Sequence, residues 1–172
     1  MSLIRTVKSW MGVDRGRMRL GLAVACVVVV LDLTTKSIAS SQLQSGPFII
    51  IPGFFDFILV HNLGAAFGLL ADQPFWLRTT LLLGVALVAS VFIIQQLREV
   101  TGLLATWAFG LILGGAVGNV VDRVRLGWVV DFIHVHWYDL SWPVFNLADS
   151  AITVGVILLI LENFRSSEKS EP

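Results

Sequence analysis

Apolar residues run through this chain in four long stretches, and the polar residues interrupt them at recurrent places rather than at random. A membrane-crossing helix needs about 20 predominantly apolar residues. Segments of about that length fall at about Met18 to Ser40, Pro74 to Gln95, Gly102 to Val121 and Ala148 to Phe164. Pro74 is acceptable at the first turn of a helix, where its missing N–H costs no hydrogen bond. Between the first two stretches lies GPFIIIPGFFDFILVHNLGAAFG, too apolar for an ordinary loop. Its aromatic and β-branched residues between Gly and Pro breaks predict a short strand or hairpin. Apolar residues on both faces of that strand suit a membrane interface. The pattern therefore predicts an all-α membrane protein with four transmembrane helices and a small outward-facing β-sheet at the membrane interface. It is read as one domain, residues 1–172, with outward segments of about 41–73 and 122–147.

Composition agrees: 56% of the residues are hydrophobic and 14% charged, against about 25% charged in soluble domains. Formal net charge is zero, which excludes a broad basic surface for nucleic acid. Arg5, Lys8, Arg15, Arg17 and Arg19 precede the first apolar stretch, and Ser40 to Pro74 has no Lys or Arg. The positive-inside rule then places both termini in the cytoplasm, the C-terminal one with Arg165 and Lys169, and the short loop with Arg98 beside them. Arg123 and Arg125 oppose that rule, which predicts a local task for at least one of them. The N-terminus shares features with a cleavable secretory signal, but three more spans follow and Asp32 and Lys36 sit where such a signal is neutral. The single Cys26 excludes an internal disulfide and two-cysteine metal motifs, and is expected as a small buried residue.

Ionisable groups inside a span cost roughly 2.5–3.5 kcal/mol each on the insertion scale. Asp32 and Lys36 lie four apart, on one helical face, as a neutralising pair whose lysine is expected to snorkel outward. Gly110, Gly114 and Gly118 repeat at the spacing that lets helix backbones approach closely, with Gly115 beside them. That stretch ends with Asn119, Asp122 and Arg123; the last two read either as an interfacial ion pair or as part of a site. Asp131 stands among Val129, Val130, Phe132 and Ile133, surroundings that raise a carboxyl pKa. Asp149 opens the fourth stretch beside Asn146 and Ser150, as a helix cap or as a reactive carboxylate. Alternating spans carry Asp32, Asn62, Asn119, Asp122, Asp131 and Asp149 to one level near the outer surface. Two carboxylates sharing a proton make an aspartic protease centre, and Asp131 with Asp149 is the best pair. The zinc-protease pattern H-E-x-x-H is absent. His134 and His136 could ligate a metal but alternate as on a strand. The competing reading is a small proton-coupled transporter with intramembrane carboxylates as its relay.

The chain resembles the lipoprotein signal peptidases, the signal peptidase II family of intramembrane aspartic proteases. The matching motifs are DLTTK (Asp32 to Lys36), NLGAAF (Asn62 to Phe67), GGAVGNVVDR (Gly114 to Arg123), VVDF (Val129 to Phe132) and FNLADS (Phe145 to Ser150). The resemblance implies Asp131 and Asp149 as the catalytic dyad. It implies supporting or substrate-binding roles for Asn62, Gly64, Gly115, Asn119, Asp122, Arg123, Asn146 and Ala148, with Asp32 and Lys36 structural or supporting. It further implies cleavage of a diacylglyceryl-modified prolipoprotein before the lipid-modified cysteine, with no metal or organic cofactor, by a monomer in contact with membrane lipids, in the bacterial inner membrane and near its outer face. Leu33 and Leu63 depart from the family pattern, as does Gly68, without touching the dyad. The outer segment Asp56 to Gly68 is expected to cradle the substrate or close over it.

Overall fold

The computed structural model describes residues 14–64, 70 and 72–168. Arg5, Lys8 and Lys169 of the charge pattern, and residues 65–68 of the expected lid, lie outside the described residues.

Four helices are long and apolar enough to cross a membrane. Helix α1 (Arg15–Gln42) starts at Asp14, whose carboxylate accepts the backbone N–H groups of Gly16 and Arg17 at 3.0 and 3.2 Å. Its 28 residues rise about 42 Å, more than the roughly 30 Å hydrocarbon layer, so its polar end stands clear of lipid. Helix α2 (Phe75–Glu99) and helix α3 (Leu103–Leu126) follow, and helix α4 (Leu147–Glu168) closes the chain. Val85, Leu87 and Val88 of α2 are exposed, as expected of side chains that hydrocarbon, not protein, solvates. Cys26 is also exposed. The expectation of a buried cysteine fails because an apolar side chain in a membrane gains nothing by facing inward.

Helix α3 is the centre of the bundle, packed by all three other helices. Its glycines make this possible on two faces. A Cβ on Gly114 would lie 2.7 Å from Val28 Cβ, and one on Gly118 would lie 2.5 Å from Asp32 Oδ2, so this edge must be glycine for α1 to lie against it. Gly115 points the other way, where a Cβ would strike the Ala148 carbonyl and stand 2.7 Å from Ile152 Cγ1. Helix α3 also runs five residues past its expected end at Val121, to Leu126, and is closed by Gly127 in the left-handed conformation (φ 86°). Asp122 and Arg123 are therefore helical residues, like Asn119, and not part of an outward loop. The polar side chains at its end are held by partners that hydropathy does not see.

The sheet has four antiparallel strands in the order β1 (Phe48–Ile51), β2 (Phe55–Asn62), β3 (Val129–Trp137) and β4 (Leu140–Ser141). The expected hairpin is β1–β2, and its partner is the stretch around Asp131. Val60, His61 and Asn62 pair with Asp131, Val130 and Val129, while Phe57 pairs with Ile133. Between these, β2 carries one extra residue, a bulge that bends the strand beside Asp131. Phe132 and Phe57 turn toward Ala39 and Leu43 of the first helical segment, seating the sheet on the end of α1.

Candidate active site

Asp131 and Asp149 reach the same place from a strand and from a helix start. A bridge between Ile133 and Phe145 brings the chain before α4 alongside β3, with Ile133 N–H donating to the Phe145 carbonyl at 2.8 Å. The next residue, Asn146, then touches both carboxylates. Its Nδ2 donates to Asp131 Oδ1 at 2.6 Å, and its backbone N–H donates to Asp149 Oδ2 at 3.2 Å. Asn146 Oδ1 in turn accepts the Asp149 backbone N–H at 2.9 Å. This reciprocal arrangement is a capping box, in which two unsatisfied N–H groups of the first turn are met by each other's side chains. Asp149 therefore does cap its helix, and the cap leaves Oδ1 to accept from Asn119 Nδ2 at 2.8 Å.

Asp131 is 1% exposed, and each of its oxygens has an amide donor, Asn146 on one and Asn62 Nδ2 on the other at 2.9 Å. Burial, reinforced by the charge of Asp149, pushes its pKa up to about 6 despite the bonds from Asn62 and Asn146. Asp149 stands at a helix N-terminus, where backbone N–H groups and the helix dipole favour negative charge. Asp131 is thus enclosed by protein, whereas Asp149 is half-buried at the first turn of a helix and lines the cavity.

Behind the pair lies a buried ionic hub. Lys36 Nζ meets Asp32 Oδ2 at 2.8 Å, Asp122 Oδ2 at 3.0 Å and Asn119 Oδ1 at 2.9 Å. The expected helical pair with Asp32 is present, but Lys36 is 2% exposed and does not snorkel, because three oxygens satisfy the ammonium inside. Asp122 pairs with Lys36 and not with its neighbour Arg123, and also accepts Val130 N–H at 3.1 Å. Asp32 Oδ1 accepts the Ala148 N–H at 2.9 Å, a second free donor at the start of α4. The hub therefore fixes the backbone of both segments that carry the dyad. Arg123 performs the local task expected of it: its guanidinium donates to the Asn119 and Gly64 carbonyls at 3.3 and 3.0 Å. Gly64 N–H closes onto Asn62 Oδ1 at 3.0 Å, so Arg123 and Asn62 position the same turn.

Every expected site residue lies in this assembly, Gly115 by close packing and the rest by hydrogen bonds or ion pairs. The dyad opens into a cavity of about 560 Å³ that Asn62, Asn119 and Arg123 also line. Its apolar wall includes Phe145, the first residue of the FNLADS motif, and also Trp142, Pro143 and Val144, which neither hydropathy nor motif marks. The Pro143 break just before the FNLADS motif is the signal that marks this stretch as shaped for a purpose.

The profile of the Signal peptidase (SPase) II family matches residues 24–165 of this chain. A lipoprotein signal peptidase of Syntrophotalea carbinolica is 45% identical over 152 residues, covering 86% of this chain and 92% of its own. One of Acinetobacter baumannii is 45% identical over 156 residues, with 89% and 86% covered. A solved bacterial membrane enzyme superposes with a TM-score of 0.78 at 30% identity, over 88% of this chain and 91% of that one. A second gives 0.72 at 32% identity, over 83% and 90%. Matched across most of its length by profile, sequence and structure, this chain belongs to the signal peptidase II family of membrane peptidases.

Proposed function

We propose that this protein is an aspartyl endopeptidase of the bacterial inner membrane that removes the signal peptide from diacylglyceryl-modified prolipoproteins, cutting just before the modified cysteine. The observation that carries the mechanism is the pairing of Asp131 and Asp149 through one residue, Asn146, in one cavity. Below about pH 6 the dyad's shared proton is assigned to Asp131, and Asp149 takes the part of the base. Asp149 takes a proton from a water as its oxygen attacks the scissile carbonyl carbon, and Asp131 gives its proton to the carbonyl oxygen. The resulting tetrahedral diol collapses with C–N cleavage, the leaving amine taking the proton from Asp149 while a diol hydroxyl returns one to Asp131. The cavity wall of Val144, Phe145 and Ile152 gives an apolar approach for a signal peptide entering sideways from lipid.

A proton relay would instead place acids at successive depths. Here the buried carboxylates Asp32, Asp122 and Asp131 gather with Asp149 at one end of the bundle. Purified protein incubated with a prolipoprotein carrying or lacking the diacylglyceryl group tests the reading. Mass spectrometry of the product is expected to place the cut before the modified cysteine, with the unmodified precursor left intact. Equal cleavage of both, or a cut elsewhere, would overturn it. The pH profile of kcat/KM reports the free enzyme's acid and base. It is expected to fall as pH rises through an apparent value near 6, when the dyad loses its shared proton.

A further inference from the structure

Asp131 is not the only reactive feature of the sheet. Successive side chains of a strand alternate between faces, so His134 and His136 lie together on the face opposite Asp131. Asp56 on β2 pairs in register with His134, which brings a carboxylate to the same spot. His134 Nδ1 is 2.6 Å from Asp56 Oδ1, and His136 Nε2 is 3.5 Å from Asp56 Oδ2. The strand alternation that argues against a helical metal motif is what puts both rings on one carboxylate.

The other nitrogen of each ring is already occupied. His136 Nδ1 lies 3.2 Å from the Tyr138 carbonyl, which only accepts, so Nδ1 carries a proton. Tyr138 holds this position from a positive φ of 49°, with its own N–H on the Gly53 carbonyl at 3.0 Å. His134 Nε2 lies 2.7 Å from Ser141 Oγ on β4. Each imidazole is thus oriented by an oxygen behind it and presents its remaining nitrogen to the carboxylate, the outer-shell arrangement that orients histidine for a metal. The two rings are stacked at 4.6 Å with 10° between planes, so both present a nitrogen to the oxygens of one carboxylate, a geometry in which a single cation can be held.

We propose that Asp56, His134 and His136 form a binding site for a divalent transition-metal ion, separate from the dyad, with two imidazoles and one carboxylate as ligands and water completing the shell. Among the described residues these three are the group whose ligand atoms, all within 4.8 Å of one another, suit a metal. The donor set fits Zn²⁺, which takes nitrogen and carboxylate ligands at about 2.0–2.2 Å. Their side chains are 15–17% exposed, so an ion reaches them from water. On binding, the ion takes the place of the direct His134–Asp56 contact and bridges both rings to the carboxylate. It links β2 to β3 six residues from Asn62 and three from Asp131, stiffening the strands that present both to the cavity.

Zinc is the probe. Full-length protein with any polyhistidine tag removed is stripped with chelator in detergent, titrated with Zn²⁺ by calorimetry, and desalted for elemental analysis. The expected result is one ion per chain. Affinity is expected to fall by on the order of 100-fold in His136→Gln and 10-fold or more in Asp56→Asn. His61→Gln serves as control, because His61 stacks on Trp128 away from the cluster, and is expected to bind as the parent does. X-ray absorption of the zinc-loaded parent is expected to count two imidazoles, which keeps the test independent of any variant that fails to fold. No retained zinc in the parent, equal binding by His136→Gln, or a shell without two imidazoles would overturn the proposal.

Discussion

Asp131→Asn and Asp149→Asn are each expected to lower cleavage of a lipid-modified precursor by on the order of 10⁴-fold, with precursor binding retained. A factor of that size corresponds to about 5.5 kcal/mol of lost transition-state stabilisation. The proton-transfer role of either carboxylate is removed, while the shape of the cavity remains. Asn caps a helix about as well as Asp, so Asp149→Asn keeps the reciprocal bond with Asn146 and separates chemistry from capping. Asp131→Asn has a second readout in stability. The carboxyl of Asp131 is raised from 3.8 to about 6, so the folded chain holds that proton more tightly than the unfolded one. Its contribution is present in full below about pH 4 and is lost as pH rises through about 6. The parent's thermal midpoint should therefore fall over that window, and the Asp131→Asn variant should lack that part of the slope. Near-parent cleavage by either variant would make that aspartate structural and direct attention to Asp122.

Lys36→Met is expected to be the most destabilising single change outside the dyad. It leaves Asp32 and Asp122 buried without the ammonium that lies 2.8 and 3.0 Å from them. Removing one partner of a buried ionic pair costs about 3–5 kcal/mol, because the remaining charge is uncompensated. In detergent the thermal midpoint should drop by on the order of 10 °C. Activity should fall with it, since Asp32 holds the Ala148 N–H and Asp122 the Val130 N–H, one beside each aspartate of the proposed dyad. The double variant Asp32→Asn/Lys36→Met should recover part of the stability, because one buried charge leaves with the other. A midpoint shift of only a degree or two for Lys36→Met, or a double variant worse than the single, would show that the hub does not hold the two segments.

The same residues show how far reading the chain alone reaches. The four spans were legible because hydrocarbon imposes a length and a composition on any helix that crosses it. The convergence of Asp32, Asn119, Asp122, Asp131 and Asp149 followed from alternating those spans, and the motifs of a related family named the pair. Exposed Cys26 and buried Lys36 were misread for one reason: burial inside a membrane protein depends on which neighbours face a side chain, and hydropathy carries no such direction. The end of α3 was set too early because Asp122 and Arg123 look like the start of a loop until their partners on α1, β3 and the Gly64 turn are present.

What the amino-acid sequence determined by itself was the number of spans, the level at which polar groups collect, and the types of residue available for chemistry. These are properties of one segment at a time, read against water and lipid. Only the tertiary structure decided that Asn146 would hold both aspartates, that Lys36 would join three oxygens, and that Asp56 would meet two histidines across a strand pair. Each of those depends on register and helix contact between residues as far as 116 positions apart, as for Asp32 and Ala148. Distances of a few ångströms are set by packing, which no single stretch of the chain contains.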